Sequence, residues 1–177
     1  MRTAFAVFVV LVTARASLDD PRPAGLRPGD EVVAWEPVHV AGPHAGTKTC
    51  PVCTYLDAPV LLAFAKDDAA AKKLAKPLEA IAAAHAKGKL RVLLVVVDGT
   101  EGQLKAIAKD QGVQRLMLCY PDPERKEKQL NAYKIDPAAE NTVVLYQDYV
   151  VKQAWAGLAP VDLPRLKAAT DRYLPKR

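Results

Sequence analysis

The chain has 177 residues, of which 50% are hydrophobic and 25% are charged, and its formal net charge is +5. This length and composition are typical of one globular domain with a full core, and the many alanines and few aromatic residues argue against an all-β design. The basic stretches KKLAK (72–76) and ERKEKQ (124–129) are spaced like solvated helix faces, so no nucleic-acid partner is expected. The sequence has no Gly-rich phosphate loop, no G-x-S-x-G and no H-E-x-x-H, which excludes the enzymes that these motifs mark.

The first sixteen residues have the features of a secretory signal peptide. Arg2 precedes the uncharged apolar stretch TAFAVFVVLVT (3–13), and Ala14-Arg15-Ala16 forms a small-residue cleavage site. The apolar stretch is too short to span a membrane. We therefore expect residues 1–16 to be removed and the mature protein to be secreted or periplasmic and free of the membrane. The alternative is a buried N-terminal strand. Residues 17–29, which are rich in proline and glycine, are expected to form a flexible lead-in.

From residue 31 onward, apolar runs of strand length alternate with amphipathic stretches of helix length. In chain order the sequence predicts an edge strand (31–40), a loop (42–49), a buried strand (59–65), a long helix (67–87), a central strand (90–98), a helix (101–110), a strand (113–120), a helix (123–132), a hairpin (142–155) and a last helix (161–174). Asp67 and Asp68 supply N-caps for the long helix and Gly88 its C-cap, and the hairpin is expected to turn at Gln147-Asp148.

Strands that are separated by helices require parallel, right-handed crossovers. The order of elements therefore predicts an α/β fold with a central mixed sheet, helices on both faces and antiparallel strands added by the hairpin. Neither an internal repeat nor a second domain is indicated, so we expect a single domain over residues 30–177.

Two stretches carry a pattern that occurs together in one known superfamily. In the first, VLLAFA is followed by a helix that contains Pro77, then by GKL (88–90) and by VVVD (95–98). In the second, GVQRLMLCYPD precedes a helix and the hairpin NTVVLYQDYVVKQAWAG (141–157). Together they resemble the thioredoxin-like superfamily, in its redoxin-type branch. The resemblance covers residues 30–174 and implies a three-layer sandwich, with the sheet between two layers of helices.

The sequence departs from this family at both halves of its usual active site. The resemblance implies a Cys-x-x-Cys pair directly after the first core strand, where a helix N-terminus favours the thiolate. Here that place is held by KDDAAA (66–71), which contains no thiol. The resemblance also implies a proline just before the hairpin strand, and the matching residue here is Asn141. The usual site is therefore degenerate.

A Cys-x-x-Cys pair does occur, at Cys50 and Cys53, but it lies ahead of the first core strand. Cys50-Pro51-Val52-Cys53 is similar to the C-P-x-C of glutaredoxins. A strand of six or seven residues spans about 20 Å. The pair and the usual site are therefore expected at opposite ends of the sheet.

Three interpretations of this pair remain open. In the first, Cys50 and Cys53 exchange disulfides with a substrate, Cys50 attacks, Cys53 resolves, and Lys48 favours the thiolate. In the second, the pair is a structural disulfide, and a non-catalytic domain binds a protein partner through the old groove. In the third, Cys50, Cys53, His39 and His44 bind zinc or copper.

The first interpretation leads: an exported protein that acts on a protein partner or on a thiol or disulfide substrate, and that needs no cofactor. The remaining residues of interest are expected to be structural. Cys119 ends a buried strand and should behave as a small apolar residue. His39 is expected to be a partly exposed strand histidine and His44 a solvated loop residue. Trp35 and Trp155 are expected to contribute to packing.

Overall fold

The computed structural model describes residues 25–174 of the chain. The predicted signal peptide (1–16) and most of the predicted lead-in lie outside the described residues. The elements are, in chain order, β1 (Val38–Ala41), α1 (Pro51–Tyr55), β2 (Val60–Ala65), α2 (Asp68–Ala84), β3 (Arg91–Val96), α3 (Glu101–Gln111), β4 (Met117–Tyr120), α4 (Lys126–Ala132), β5 (Asn141–Gln147), β6 (Val150–Ala156) and α5 (Leu163–Asp171). Among the described residues, no helix is both long and apolar enough to cross a membrane.

The six strands form one mixed sheet in the order β1-β4-β3-β2-β5-β6. The three central strands, β4, β3 and β2, are parallel to one another. β5 pairs antiparallel with β2, β6 pairs antiparallel with β5, and β1 pairs antiparallel with β4 at the opposite edge. The predicted mixed sheet, with a parallel centre and a terminal antiparallel hairpin, is therefore confirmed.

The sheet separates two hydrophobic cores, because successive residues of a strand point to opposite faces. The odd-numbered residues of β2 pack against α2, α3 and α5. The even-numbered residues of β2 pack against α1, α4 and the segment that carries Trp35. All six residues of β2 are buried, which explains why its sequence is an unbroken apolar run. The predicted helices on both faces are confirmed.

Three local predictions are wrong. In the predicted strand 31–40, only the end is a strand, and Glu31 forms a single bridge to Val150. The long helix ends at Ala84 with His85 as its C-cap, so Gly88 lies beyond it. No apolar side chain after Ala82 holds residues 83–87 on the core, and helices in proteins depend on such packing.

The third error concerns the hairpin turn, which lies at Asp148-Tyr149. Both residues have positive φ, 52° and 65°. A two-residue turn with two positive φ angles matches the right-handed twist of its flanking strands. The geometry of the sheet therefore decides the position of this turn, although Tyr149 is not a residue that favours positive φ.

Candidate functional site

The Cys-x-x-Cys pair opens a short helix of its own, which the sequence analysis missed. Cys50 is the N-cap of α1, Pro51 occupies its first turn, and the backbone N–H of Cys53 donates to Cys50 Sγ at 3.1 Å. The hydroxyl of Thr54 donates to the carbonyl of Cys50 at 2.8 Å. Proline is common in a first helical turn because it lacks an N–H that would be left without a partner. Pro51 after Cys50 therefore indicates the start of a helix, but a helix of five residues is too short to show the periodicity that would identify it.

Cys50 and Cys53 form a disulfide, with their Cα atoms 5.4 Å apart. The two residues differ in exposure. Cys50 is half-buried and packs against the core that contains Trp35, whereas Cys53 is exposed. Pro51 and Val52 are buried, so α1 is fixed on the domain through the residues between the two cysteines.

Tyr55, the last residue of α1, ties the helix to the ends of two parallel strands. Its hydroxyl donates to Met117 Sδ at 2.9 Å, and its ring lies 5.4 Å below the guanidinium of Arg91. His44 Nε2 lies 2.6 Å from the same hydroxyl. Burial raises the pKa of Tyr55, so the phenol stays protonated at neutral pH. Met117 and Arg91 are the first residues of β4 and β3, which places α1 at the N-terminal end of the parallel strands.

Lys48 is paired with a carboxylate. Its ammonium donates to Asp122 Oδ2 at 3.0 Å, and the Asp122 side chain is only 8% exposed. The hydrogen bond from Lys48 lowers the pKa of Asp122. Because this lysine already has a carboxylate partner, its predicted contribution to a thiolate at Cys50 receives no support from the geometry.

The proposed metal ligands are not assembled for a metal. Cys50 and Cys53 are bonded to each other, and His39 Nε2 lies 3.0 Å from the carbonyl of Thr49. The rings of His39 and His44 are 5.6 Å apart, but His44 is engaged by Tyr55. Across residues 25–174, no group of three or more His, Cys, Asp or Glu side chains is placed to hold a metal ion.

The environments of the two histidines differ from the prediction. His39 is only 2% exposed rather than partly exposed, because its strand is covered by the loop that follows it. Burial lowers its pKa, which keeps the imidazole neutral. His44 is held by Tyr55 rather than solvated.

Cys119 is buried, as predicted, in the core beneath α1. Its thiol donates to the carbonyl of Leu94 at 3.7 Å, and burial raises its pKa. A neutral, buried thiol is a poor nucleophile. Trp35 and Trp155 are also buried, in agreement with their predicted packing roles.

Solved structures with related architecture were found, although no family model matches the sequence and no curated protein matches it. The thioredoxin domain of a thiol-disulfide oxidoreductase from Bacteroides vulgatus has a TM-score of 0.67 and 14% identity, over 85% of this chain and 99% of that chain. Peroxidoxin BcpB from Mycobacterium tuberculosis has a TM-score of 0.64 and 17% identity, over 85% of this chain and 99% of that chain. Peroxiredoxin Q from Xanthomonas campestris has a TM-score of 0.61 and 13% identity, over 80% of this chain and 90% of that chain.

The chain has a thioredoxin-like fold. The predicted fold class is therefore confirmed. Identities of 13 to 17% show the fold alone, and the chemistry of this thioredoxin-like domain depends on its own residues.

At the usual thioredoxin-like site, the start of the long helix is closed by its own bonds. Asp67 is the N-cap of α2, and its carboxylate accepts from the backbone N–H of Ala70 at 2.9 Å. The backbone N–H of Lys66 donates to the carbonyl of Glu140 at 3.0 Å. The carboxylate of Glu140 in turn pairs with Lys73 at 2.6 Å. Carboxylates hold the place where the resemblance implies a thiol.

Asn141 occupies the position where the resemblance implies a proline, and it has a structural role. Its side-chain amide donates to the carbonyl of Leu158 and accepts from the N–H of Leu158, both at 2.9 Å. Asn141 is only 4% exposed. The amide therefore fastens the segment after β6 to the start of β5, a task that proline cannot perform.

Proposed function

We propose that this is an exported thiol-disulfide exchange protein that works through the Cys50–Cys53 disulfide. The observation that carries the proposal is the placement of this bond: it opens a helix and leaves one of its two residues exposed to a substrate. Two substrate thiols would become one disulfide, and the protein disulfide would become two thiols. No cofactor takes part, because both electrons are held by the sulfurs.

The local geometry supports exchange because it would stabilise the Cys50 thiolate that forms when the disulfide opens. When the disulfide opens, the N–H of Cys53 can donate to a thiolate at Cys50, as it donates to the bonded sulfur. Thiolates at helix N-termini are favoured by such donors. A loop as short as Cys-x-x-Cys also gives a disulfide less chain-entropy stabilisation than a longer loop would, so stability alone is a weaker reason for this bond than for a long-range one.

The decisive experiment is insulin reduction, with dithiothreitol as the electron source. We expect the parent protein to accelerate the reaction and the double variant Cys50→Ser/Cys53→Ser to reduce the rate to that of the reductant alone. Cys119→Ala is the matched control, because it removes the buried thiol and should leave the rate unchanged. Equal rates for the parent and the double variant would refute the enzymatic proposal.

The midpoint potential of the pair gives a second measure. A value near −200 mV is typical of exchange proteins, whereas a value below about −300 mV is typical of structural disulfides. Export can be tested separately: the mature protein should begin at Ser17 when it is recovered from outside the cytosol.

One observation favours the alternative of a binding domain that uses the old groove. A cavity of about 180 Å³ lies at the C-terminal ends of β2 and β3, with Phe64, Val97, Leu130 and Ile135 among its lining residues. In α/β folds this end of the sheet often binds ligands. If Leu130→Ala abolished capture of a protein partner while the Cys50→Ser variant retained it, the binding alternative would be preferred.

A further inference from the structure

We infer that Cys53, rather than Cys50, is the sulfur that exchanges with substrate, so that the mixed disulfide forms on the C-terminal cysteine of the pair. This inference rests on the proposed function. The expectation from sequence was the opposite order, in which the N-terminal cysteine attacks.

The first argument is access. A thiolate must reach the sulfur that it attacks, and Cys53 is exposed while Cys50 is half-buried. Cys50 packs against the core that also holds Val52, and the buried Pro51 separates the two cysteines. Cys53 and Thr54 form the outward side of α1.

The second argument is the stability of the leaving group. Attack on one sulfur of a disulfide expels the other as a thiolate, and a better stabilised thiolate leaves faster. Cys50 sits at the N-cap, where the N–H of Cys53 donates to its sulfur at 3.1 Å. Within residues 25–174, no hydrogen-bond donor lies against Cys53 Sγ. Attack at Cys53 therefore expels the sulfur that already has a donor.

The reaction then has two balanced steps. A substrate thiolate attacks Cys53 Sγ, a new sulfur–sulfur bond forms, and the bond to Cys50 breaks with its electron pair on Cys50 Sγ. A second substrate thiolate attacks the substrate sulfur of this mixed disulfide and expels the Cys53 thiolate. The two thiolates of the protein take up the two protons that the substrate thiols released. The substrate is oxidised by two electrons and the protein disulfide is reduced by two.

The same assignment holds in the reverse direction. Reduced Cys53 attacks a substrate disulfide, and Cys50 resolves the mixed disulfide by attacking Cys53 Sγ. In both directions Cys50 is the half-buried residue of the pair, so the core against which it packs never has to open for a substrate.

The test compares two variants, each of which keeps one of the two cysteines, and uses glutathione disulfide as the probe. Reduced Cys50→Ser, which keeps Cys53, and reduced Cys53→Ser, which keeps Cys50, are mixed with the probe, and the added mass is followed over time. Rates are normalised to the thiolate fraction from a pH–rate profile. We expect Cys50→Ser to be modified at least about tenfold faster.

A second measurement uses the unaltered protein and needs no variant to fold. The oxidised protein is reduced with glutathione, quenched with acid during the reaction, and the glutathione adduct is located by peptide fragmentation; we expect it on Cys53. An adduct on Cys50, or equal rates for the two variants, would overturn the inference while leaving the exchange function intact. If glutathione neither reduces the oxidised protein nor forms an adduct, the proposed function fails and the inference fails with it.

Discussion

The two ends of the parallel strands have opposite characters in this protein. At the C-terminal end, where the thioredoxin-like resemblance implies chemistry, the polar groups are paired with one another: Asp67 caps α2, Asn141 binds Leu158, and Lys126 pairs with Asp98 at 2.6 Å. At the N-terminal end, α1 presents a disulfide with one exposed residue.

This comparison shows that a fold fixes where elements lie but not at which end of the sheet a cysteine pair is placed. At the start of α1 the N-cap is Cys50, and its sulfur accepts from the backbone N–H of Cys53. At the start of α2 the N-cap is Asp67, and its carboxylate accepts from the backbone N–H of Ala70. Substitutions at the two ends can test whether the C-terminal end is purely structural and the N-terminal end carries the exchange.

The largest effect on stability is expected at Asn141. Asn141→Ala removes two buried hydrogen bonds and leaves the N–H and carbonyl of Leu158 without partners, so the free energy of unfolding should fall by about 2–4 kcal/mol. Urea denaturation measures this loss. Insulin reduction per folded molecule should not change.

The adjacent Glu140→Gln is the matched control for Asn141→Ala. It weakens an exposed ion pair with Lys73, and because water screens such a pair, the free energy of unfolding should barely change. If Asn141→Ala lowered the rate of insulin reduction per folded molecule below that of the parent, the C-terminal end would not be purely structural.

A smaller effect is expected when the disulfide is reduced. Closing a loop between Cys50 and Cys53, three residues apart, should stabilise the fold by about 2 kcal/mol on the chain-entropy scale. Denaturation of the parent with and without reductant measures the difference, and a variant with both cysteines changed to serine must not respond to reductant. A loss well above 4 kcal/mol would favour the structural interpretation of the disulfide.

The N-cap of α2 should have a still smaller effect. Asp67→Ala leaves the N–H of Ala70 without its side-chain acceptor, and the free energy of unfolding should fall by about 1 kcal/mol. Asp67→Asn keeps an acceptor and should lose only a few tenths. Thermal unfolding of the two variants distinguishes them. A faster insulin reduction in either variant would show that the old site still influences exchange.

Much of the fold could be predicted from the sequence because its signals are local and repeated. The buried run of β2 and the β-branched run of β3 each predict a central strand without knowledge of their neighbours. The site was harder to predict. The cysteines and their position ahead of β2 are visible in the sequence, but α1 has only five residues, too few for a hydrophobic period.

The surroundings of the cysteines depend on contacts between residues far apart in the chain. Tyr55 meets Met117, and Lys48 meets Asp122, 74 residues away. Neither contact leaves a pattern in the sequence. The difference in exposure between Cys50 and Cys53 likewise follows from how α1 lies on the core.

The smallest expected effect concerns Lys48, which sequence proximity had associated with the thiolate. Because the hydrogen bond from Lys48 lowers the pKa of Asp122 below 3.8, this carboxylate stabilises the fold above its ordinary pKa. The contribution is lost as the pH falls through the lowered, folded-state pKa. In Lys48→Met the pKa of Asp122 should rise toward its ordinary value, so acid unfolding should begin at a higher pH. Carboxyl titration by NMR and urea midpoints measured from neutral to acidic pH check this.

At neutral pH, Lys48→Met should leave insulin reduction unchanged, because the ammonium is already paired with Asp122. Lys48→Arg keeps the charge and is the matched control. A slower exchange in Lys48→Met that Lys48→Arg restores would mean that Lys48 leaves Asp122 when the disulfide opens. Lys48, which pairs with Asp122 in the oxidised protein, would then support exchange in the reduced protein. The contrast between the two ends would remain, with Lys48 added to the residues of the N-terminal end.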